Sequence, residues 1–222
     1  MSLPVFKVDP ENPEKKIIDR ATSIIKQGGI VVFPAKHLYG IAADALNKRA
    51  VKKVFDLKHR PENNPLLVLI NKKNNLINLV DSVPRNAKVL IEKFWPGNIT
   101  LVFEANNDLP MILTAKTGKI GVRIPWHPVT KSLVNHLGGP ITGTSANISG
   151  MPGCSCINDL AQEIIQCADM VMDAGRLRQG RASTVVDVTV DPIKIIRRGE
   201  LPDNKIFTAI NFTAIKRIEQ FY

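Results

Sequence analysis

The sequence predicts an α/β (α+β) fold, a twisted sheet of mixed parallel and antiparallel strands flanked by helices. Two patterns carry this expectation. Amphipathic helical stretches alternate with short apolar runs along most of the 222 residues, and the late strand-like runs follow one another so closely that some must pair antiparallel. A third pattern points to a ligand site: basic and glycine-rich segments recur where strands should end, and in open α/β sheets those ends host ligands.

The elements follow in order. Asn12-Pro13 reads as a helix start, with a capping Asn and Pro at the first helical position. Ile17, Ile18, Ala21, Ile24 and Ile25 then share one helical face, and Gly28-Gly29 stops the helix. Residues 30–33 form a buried strand bounded by Gly and Pro. Further helices are expected over 47–58, 83–94, 127–137 and 157–167, with strands over 66–70, 99–103, 120–124 and 141–144, around 171, and over 184–188 and 193–196. Residues 207–221 read as a C-terminal helix. Absence of a repeat, linker or low-complexity tract makes residues 1–222 one expected domain organised around one twisted sheet.

Composition narrows the class. Hydrophobic residues make up 44% and charged residues 23%, which is ordinary for a globular chain and argues against disorder. Thirty Lys+Arg against twenty Asp+Glu give a formal charge of +10, a surface that attracts nucleotides or nucleic acid, or else a merely solvated basic exterior. Three cysteines without a C-x-x-C pair do not suggest a disulfide framework or a structural zinc site. The N-terminus lacks the apolar core of a signal peptide and no run is long enough for a membrane span, so the expectation is a cytoplasmic protein without membrane contact; as to metal, none of the residues is named as a ligand.

Five segments stand out as candidate chemistry. Pro34 to Gly40 follows a buried strand and carries Lys36, His37 and Tyr39. In Lys58-His59-Arg60-Pro61, Pro61 disfavours α conformation at Arg60. Extended backbone there would point Lys58 and Arg60 the same way, and two such cations suit a triphosphate or carboxylate between them. A solvated basic loop is the other reading of those residues. Arg123 is embedded in an apolar strand and needs either a structural carboxylate or a ligand phosphate. Residues 143–150, with Thr144, Ser145 and Asn147, offer hydroxyls, an amide and backbone N–H groups for an anion nest, or else form a tight polar turn. Ser183 to Asp187 and Arg197-Arg198-Gly199 put polar groups at strand edges once more. The G-x-S-x-G, H-E-x-x-H and G-x-G-x-x-G patterns are missing, and no carboxylate couple stands out for acid/base work. Positioning and cationic stabilisation are the tools on offer, as in nucleotidyl transfer.

Read together, these segments resemble the YrdC family, the L-threonylcarbamoyladenylate (threonylcarbamoyl-AMP) synthases, over about residues 17–201, with 202–222 as a helical extension. Lys58-x-Arg60 with Ser145-x-Asn147 is similar to the family's K-x-R and S-x-N signature, and Phe94-Trp95-Pro96-Gly97 with Thr100 to its F-W-P-G-x-x-T segment. Residues 122–125 with His127-Pro128, 183–187, and Arg197-x-Gly199 match in the family's order. The resemblance implies a YrdC-like fold with a basic concave cleft. It implies ATP and Mg²⁺, L-threonine and bicarbonate as small substrates, and a threonylcarbamoyl transferase partner that modifies tRNA. It assigns catalysis to Lys58, Arg60, Ser145 and Asn147, nucleotide binding to Arg123, Thr144, Ser183 and Arg197, and substrate binding to Lys36, His37 and Tyr39. Direct tRNA or double-stranded RNA contact is a further expected partner.

Two segments depart from the family pattern. Where it reads close to P-T-E-T-x-Y-G, this chain has Pro34-Ala35-Lys36-His37-Leu38-Tyr39-Gly40, and Leu69 takes the His position of P-L-x-x-H. The resemblance places both beside the amino-acid pocket, so Lys36 and His37 would favour a more acidic acceptor. Adenylation of another carbamoylated amine, and an RNA-binding protein without catalysis, are the alternative functions.

Overall fold

The computed structural model describes residues 4–178 and 180–219, with side chains through 211. The chain runs β1 (Val5–Lys7), α1 (Lys15–Lys26), β2 (Val31–Pro34), β3 (Tyr39–Ala42), α2 (Lys48–Lys58), β4 (Leu67–Leu69), α3 (Arg85–Phe94), β5 (Ile99–Glu104) and β6 (Lys119–Arg123). It continues through α4 (Pro128–Leu137), β7 (Ile141–Thr142), β8 (Thr144–Ser145), α5 (Gln162–Cys167), β9 (Met170–Asp173), β10 (Thr184–Asp187), β11 (Lys194–Arg197) and α6 (Asp203–Glu219).

The mixed α/β class holds, but the strands form two sheets where one was expected. One sheet has the order β1-β9-β2-β3-β8 and the other β11-β10-β5-β6-β4-β7. The expected strand 141–144 is where the chain changes sheet. Ile141 opposes Leu69 on β4, whereas Ser145 opposes Gly40 on β3. Gly143 makes the crossing, because a Cβ there would lie 2.7 Å from Leu69 Cγ. The expected antiparallel pairing among the late strands is β10 against β11, and β10 also runs parallel to β5.

Local chemistry explains where helices begin. Asn47 caps α2, its side chain accepting from the N–H groups of Arg49 (3.0 Å) and Ala50 (3.2 Å). Asn12 does not cap α1. Asp9 Oδ1 takes the N–H groups of Glu11 and Asn12 in a turn of its own, and α1 starts only after Glu14. The helix expected over 157–167 is broken, because Leu160 and Ala161 are extended between a single 3₁₀ turn and α5. The C-terminal helix begins at Asp203, and its expected end at 221 lies outside the described residues.

Two apolar clusters hold the sheets. Ile17, Ile18, Ala21 and Ile25 of α1 meet Val129, Leu133 and Val134 of α4 over Val31, Phe33, Met170 and Met172. The larger cluster packs Val51, Val54 and Phe55 of α2 and Leu90 and Ile91 of α3 with Leu101, Phe103, Ile120 and Val122. Each such fully buried aliphatic or aromatic side chain contributes roughly 1.5–3 kcal/mol.

The six-stranded sheet turns its other face to a cleft, and strand alternation sets what that face carries. Leu69 opposes Arg123, Leu101 opposes Val122, and Val185 opposes both Thr100 and Arg197. Leu69, Arg123, Thr100, Val185 and Arg197 therefore form a row across the cleft floor, since alternate residues share a face.

Candidate active site

The cleft has a volume of about 560 Å³ between the floor of the six-stranded sheet, the β2–β3 hairpin and the 143–145 crossing. Its lining includes Lys36, Arg60, Lys119, Arg123, Arg181 and Arg197, and no Asp or Glu. The two lysines have acids behind them. Lys119 donates to Asp187 (2.9 Å), and Lys36 is bonded to Glu200. None of the four arginines forms a salt bridge among the described residues.

Three of those guanidinium groups converge. Arg197 is held by the Ser183 carbonyl (2.9 Å) and hydroxyl (3.1 Å), and that hydroxyl meets Thr100 Oγ1 at 2.9 Å. Arg60 is fixed by Asn64 O (2.8 Å), Asn64 Oδ1 (2.9 Å) and Pro65 O (2.7 Å). Arg123 keeps a buried Nε without a hydrogen-bond partner. Burial, and then the nearby Arg197 charge, lower the pKa of Arg60 and bring that of Arg123 to about 10. Three like charges brought together, Arg60 and Arg123 partly buried and Arg197 more open to solvent, form a site that an anion stabilises.

Lys58 departs from the extended arrangement expected of it. It is the last residue of α2, and His59 after it is left-handed (φ 49°, ψ 41°), so the two-residue alternation with Arg60 does not apply. The residue is 2% exposed, and its ammonium lies behind the cleft. It donates to Ser145 O (2.6 Å) and to the carbonyl of Asn147, and lies 3.4 Å from Asn147 Oδ1. Burial, then the Arg60 charge, lowers its pKa to about 8. Asn147 also sits behind the lining: its Oδ1 accepts from the Ser145 hydroxyl and its Nδ2 donates to Ile148 O and Met151 O. Lys58 and Asn147 thus brace the loop that presents Thr144 and Ser145 to the cleft.

The hairpin residues differ in role. Tyr39 touches the cleft, but its ring is buried, and its hydroxyl donates to Gly175 O (2.7 Å) and accepts from Ala174 N (3.0 Å). Burial drives its pKa up to about 12. Lys36 and His37 line the cleft but are engaged by Glu200, His37 Nε2 at 3.0 Å, so neither side chain is free. Burial raises the pKa of Glu200, and donors from Lys36, His37 and Asn98 outweigh it, holding the carboxyl below its usual value.

Sequence reasoning missed Asn98, Lys119, Arg181 and Glu200. Lys119 was legible, because it shares strand alternation with Gly121 and Arg123. Arg181 and Glu200 lie in loops whose placement no local pattern gives.

A cleft floored by arginines without acid partners, on a mixed sheet, defines a class of site suited to an anionic ligand. The comparisons specify it further. The Sua5/YciO/YrdC domain, described as "Telomere recombination", matches residues 23–199. The chain belongs to the Sua5/YciO/YrdC family. It is 35% identical to the threonylcarbamoyl-AMP synthase of Pyrococcus abyssi over 196 residues, 88% of this chain and 58% of that protein. It is 35% identical to the putative threonylcarbamoyl-AMP synthase of Methanocaldococcus jannaschii, covering 88% of this chain and 92% of that one. The crystal structure of P. abyssi Sua5 complexed with L-threonine superposes with a TM-score of 0.88 at 34% identity, over 93% of this chain and 60% of that one. The chain therefore spans about six-tenths of the P. abyssi relative.

Proposed function

We propose that this protein forms L-threonylcarbamoyl-AMP from L-threonine, bicarbonate and ATP, with release of pyrophosphate. One observation carries the reading: a cleft lined by six cations and no carboxylate, in a chain related to proteins named for that reaction. The cationic surface matches a nucleoside triphosphate, and the cleft is large enough for a drug-sized ligand.

The chemistry balances without a protein acid or base. Threonine's amine and bicarbonate give a carbamate and water. A carbamate oxygen then bonds to the α-phosphorus as the bond to pyrophosphate breaks, and pyrophosphate leaves with the electron pair. Arg60, Arg123 and Arg197 neutralise the charge that grows on the phosphoryl oxygens, a task for which preorganised donors are the strongest single device. Ser183 orients Arg197, and Thr144 and Ser145 present hydroxyls to the bound phosphates or carbamate. Lys58 and Asn147 serve by holding that loop, Tyr39 by holding the turn at 173–175.

Among the described residues, no cluster of three metal-ligating side chains forms, and the cleft lining supplies no carboxylate. The residues present do not fit a protein-held Mg²⁺, so Mg²⁺ is assigned to the nucleotide's own phosphates and no step runs through it.

Residues 1–222 act in this reading as one domain, in the cytoplasm, supplying a transferase that carries the threonylcarbamoyl group to tRNA. Exposed Arg178 suits direct RNA contact, and Arg176 and Arg198 do so by exchanging Asp159 and Asp203 for phosphate. No helix among the described residues is long and apolar enough to cross a membrane. A second reading keeps adenylation and changes the amine, and Ala35 and Leu69, which bring no hydroxyl or imidazole to the cleft, favour it. Pyrophosphate release tests both. The first reading requires ATP, bicarbonate and threonine together. Turnover with bicarbonate but a better amine selects the second, and no turnover with any amine overturns both.

A further inference from the structure

Every cation in the cleft lining is an arginine without an acid partner or a lysine with one, and the Lys36 pair lies at the rim. Glu200, in the turn after β11, is not part of the lining. Its carboxylate reaches three groups that are: Lys36 Nζ, His37 Nε2 (3.0 Å) and Asn98 Nδ2. These come from the β2–β3 hairpin of one sheet and the entry to β5 of the other, so one carboxylate ties the two walls together.

The tie is packed in place. His37 Nδ1 lies 2.9 Å from Arg178 O, and a Cβ on Gly180 would come within 2.4 Å of the imidazole. Lys36 Nζ stands 5.1 Å from the centre of the half-exposed Trp126 ring. Lys36 and Glu200 are about a third exposed (28% and 35%), and Lys36 presents its paired ammonium to the cleft that it lines. The arginine floor therefore keeps its charge for an anion, while the Lys36 rim is neutralised in advance of substrate.

We infer that Glu200 is a specificity-determining residue. It screens Lys36 and His37, so that the rim takes an amine with an uncharged side chain and turns away an acidic one. An acidic side chain beside Lys36 meets a cation that is already paired, together with the carboxylate that pairs it, and such built-in repulsion is how sites discriminate against near-relatives. The inference rests on the carbamoyl-adenylating reading above.

Glu200→Gln keeps the shape and removes the charge. Pyrophosphate release is measured with ATP, bicarbonate and either L-threonine, L-aspartate or L-glutamate, in the natural protein, in Glu200→Gln, and in the double variant Lys36→Gln/Glu200→Gln. The expected result is a rise of at least about tenfold in the aspartate-to-threonine ratio of kcat/KM in Glu200→Gln, reversed in the double variant. A purely structural role lowers both amino acids alike and leaves the ratio flat, which overturns the inference. A lower KM for ATP with an unchanged ratio also overturns it, since Lys36 would then be released to the phosphates. If the natural protein turns over no amine, the functional reading fails. Calorimetric binding of L-aspartate against L-threonine to the three proteins still decides the role of Glu200.

Discussion

The ammonium of Lys58 lies 2.6 Å from the carbonyl oxygen of Ser145, beneath the loop that lines the cleft and not in the cleft itself. One side chain at the end of α2 thereby fixes a segment 87 residues further along the chain. The bond to the Asn147 carbonyl repeats the grip, and Ser149 N returns a bond of 2.8 Å to Lys58 O.

Replacing Lys58 by Met strips two carbonyls of a charged donor. The expected loss is about 1–3 kcal/mol of unfolding free energy, read from denaturant titration. Pyrophosphate release should fall at least about a hundredfold as Ser145 loses its position. Unchanged stability would show that the loop holds its shape without the tether.

The pH dependence of Lys58 separates activity from stability. Its folded pKa, near 8 through burial, is below the unfolded value of 10.5. Between those values the unfolded chain binds more protons, so this group makes stability rise with pH over that window. Turnover that depends on the charged ammonium should instead fall as pH rises through about 8. Parallel pH–rate and unfolding series check the divergence, and a joint decline of both would refute it.

Arg123 should behave as a strained charge. Its Nε is buried without a partner, and the charge of Arg197 adds to the cost. Arg123→Met is expected to raise the melting temperature of the ligand-free protein and to abolish most of the further rise that ATP produces. Thermal scans with and without ATP measure both. A drop in the ligand-free melting temperature would mean that the arginine has a structural partner.

Gly199 has no room for a side chain. A Cβ there would lie 2.3 Å from Ala182 O and 2.4 Å from Thr184 N, backbone atoms that cannot swing aside. Gly199→Ala should cost about 2–4 kcal/mol and weaken the hold of Ser183 on Arg197. Thermal unfolding and the KM for ATP report the two effects.

Tyr39→Phe tests whether the phenol meets substrate. Its hydroxyl is occupied by Gly175 O and Ala174 N. A loss of about 1–3 kcal/mol with little change in the KM for threonine is expected. A KM rise of about tenfold or more without a stability loss would return Tyr39 to the substrate-binding set.

Much of this protein is written in its local sequence. The apolar face of residues 48–58 is legible from residue order alone, because helix period is short-range. Arg123 and Ser183 are legible for a similar reason: a charge within an apolar run and a hydroxyl at a strand edge stand out in residue order alone. The tertiary structure alone decided which charges stay free. Lys36 and Glu200 are 164 residues apart, Lys58 and Ser145 are 87 apart, and the left-handed turn at His59 sends Lys58 behind the loop while Arg60 enters the cleft. Pairing between charges depends on distance through space, and local periodicity carries no information about which loops the two sheets bring face to face.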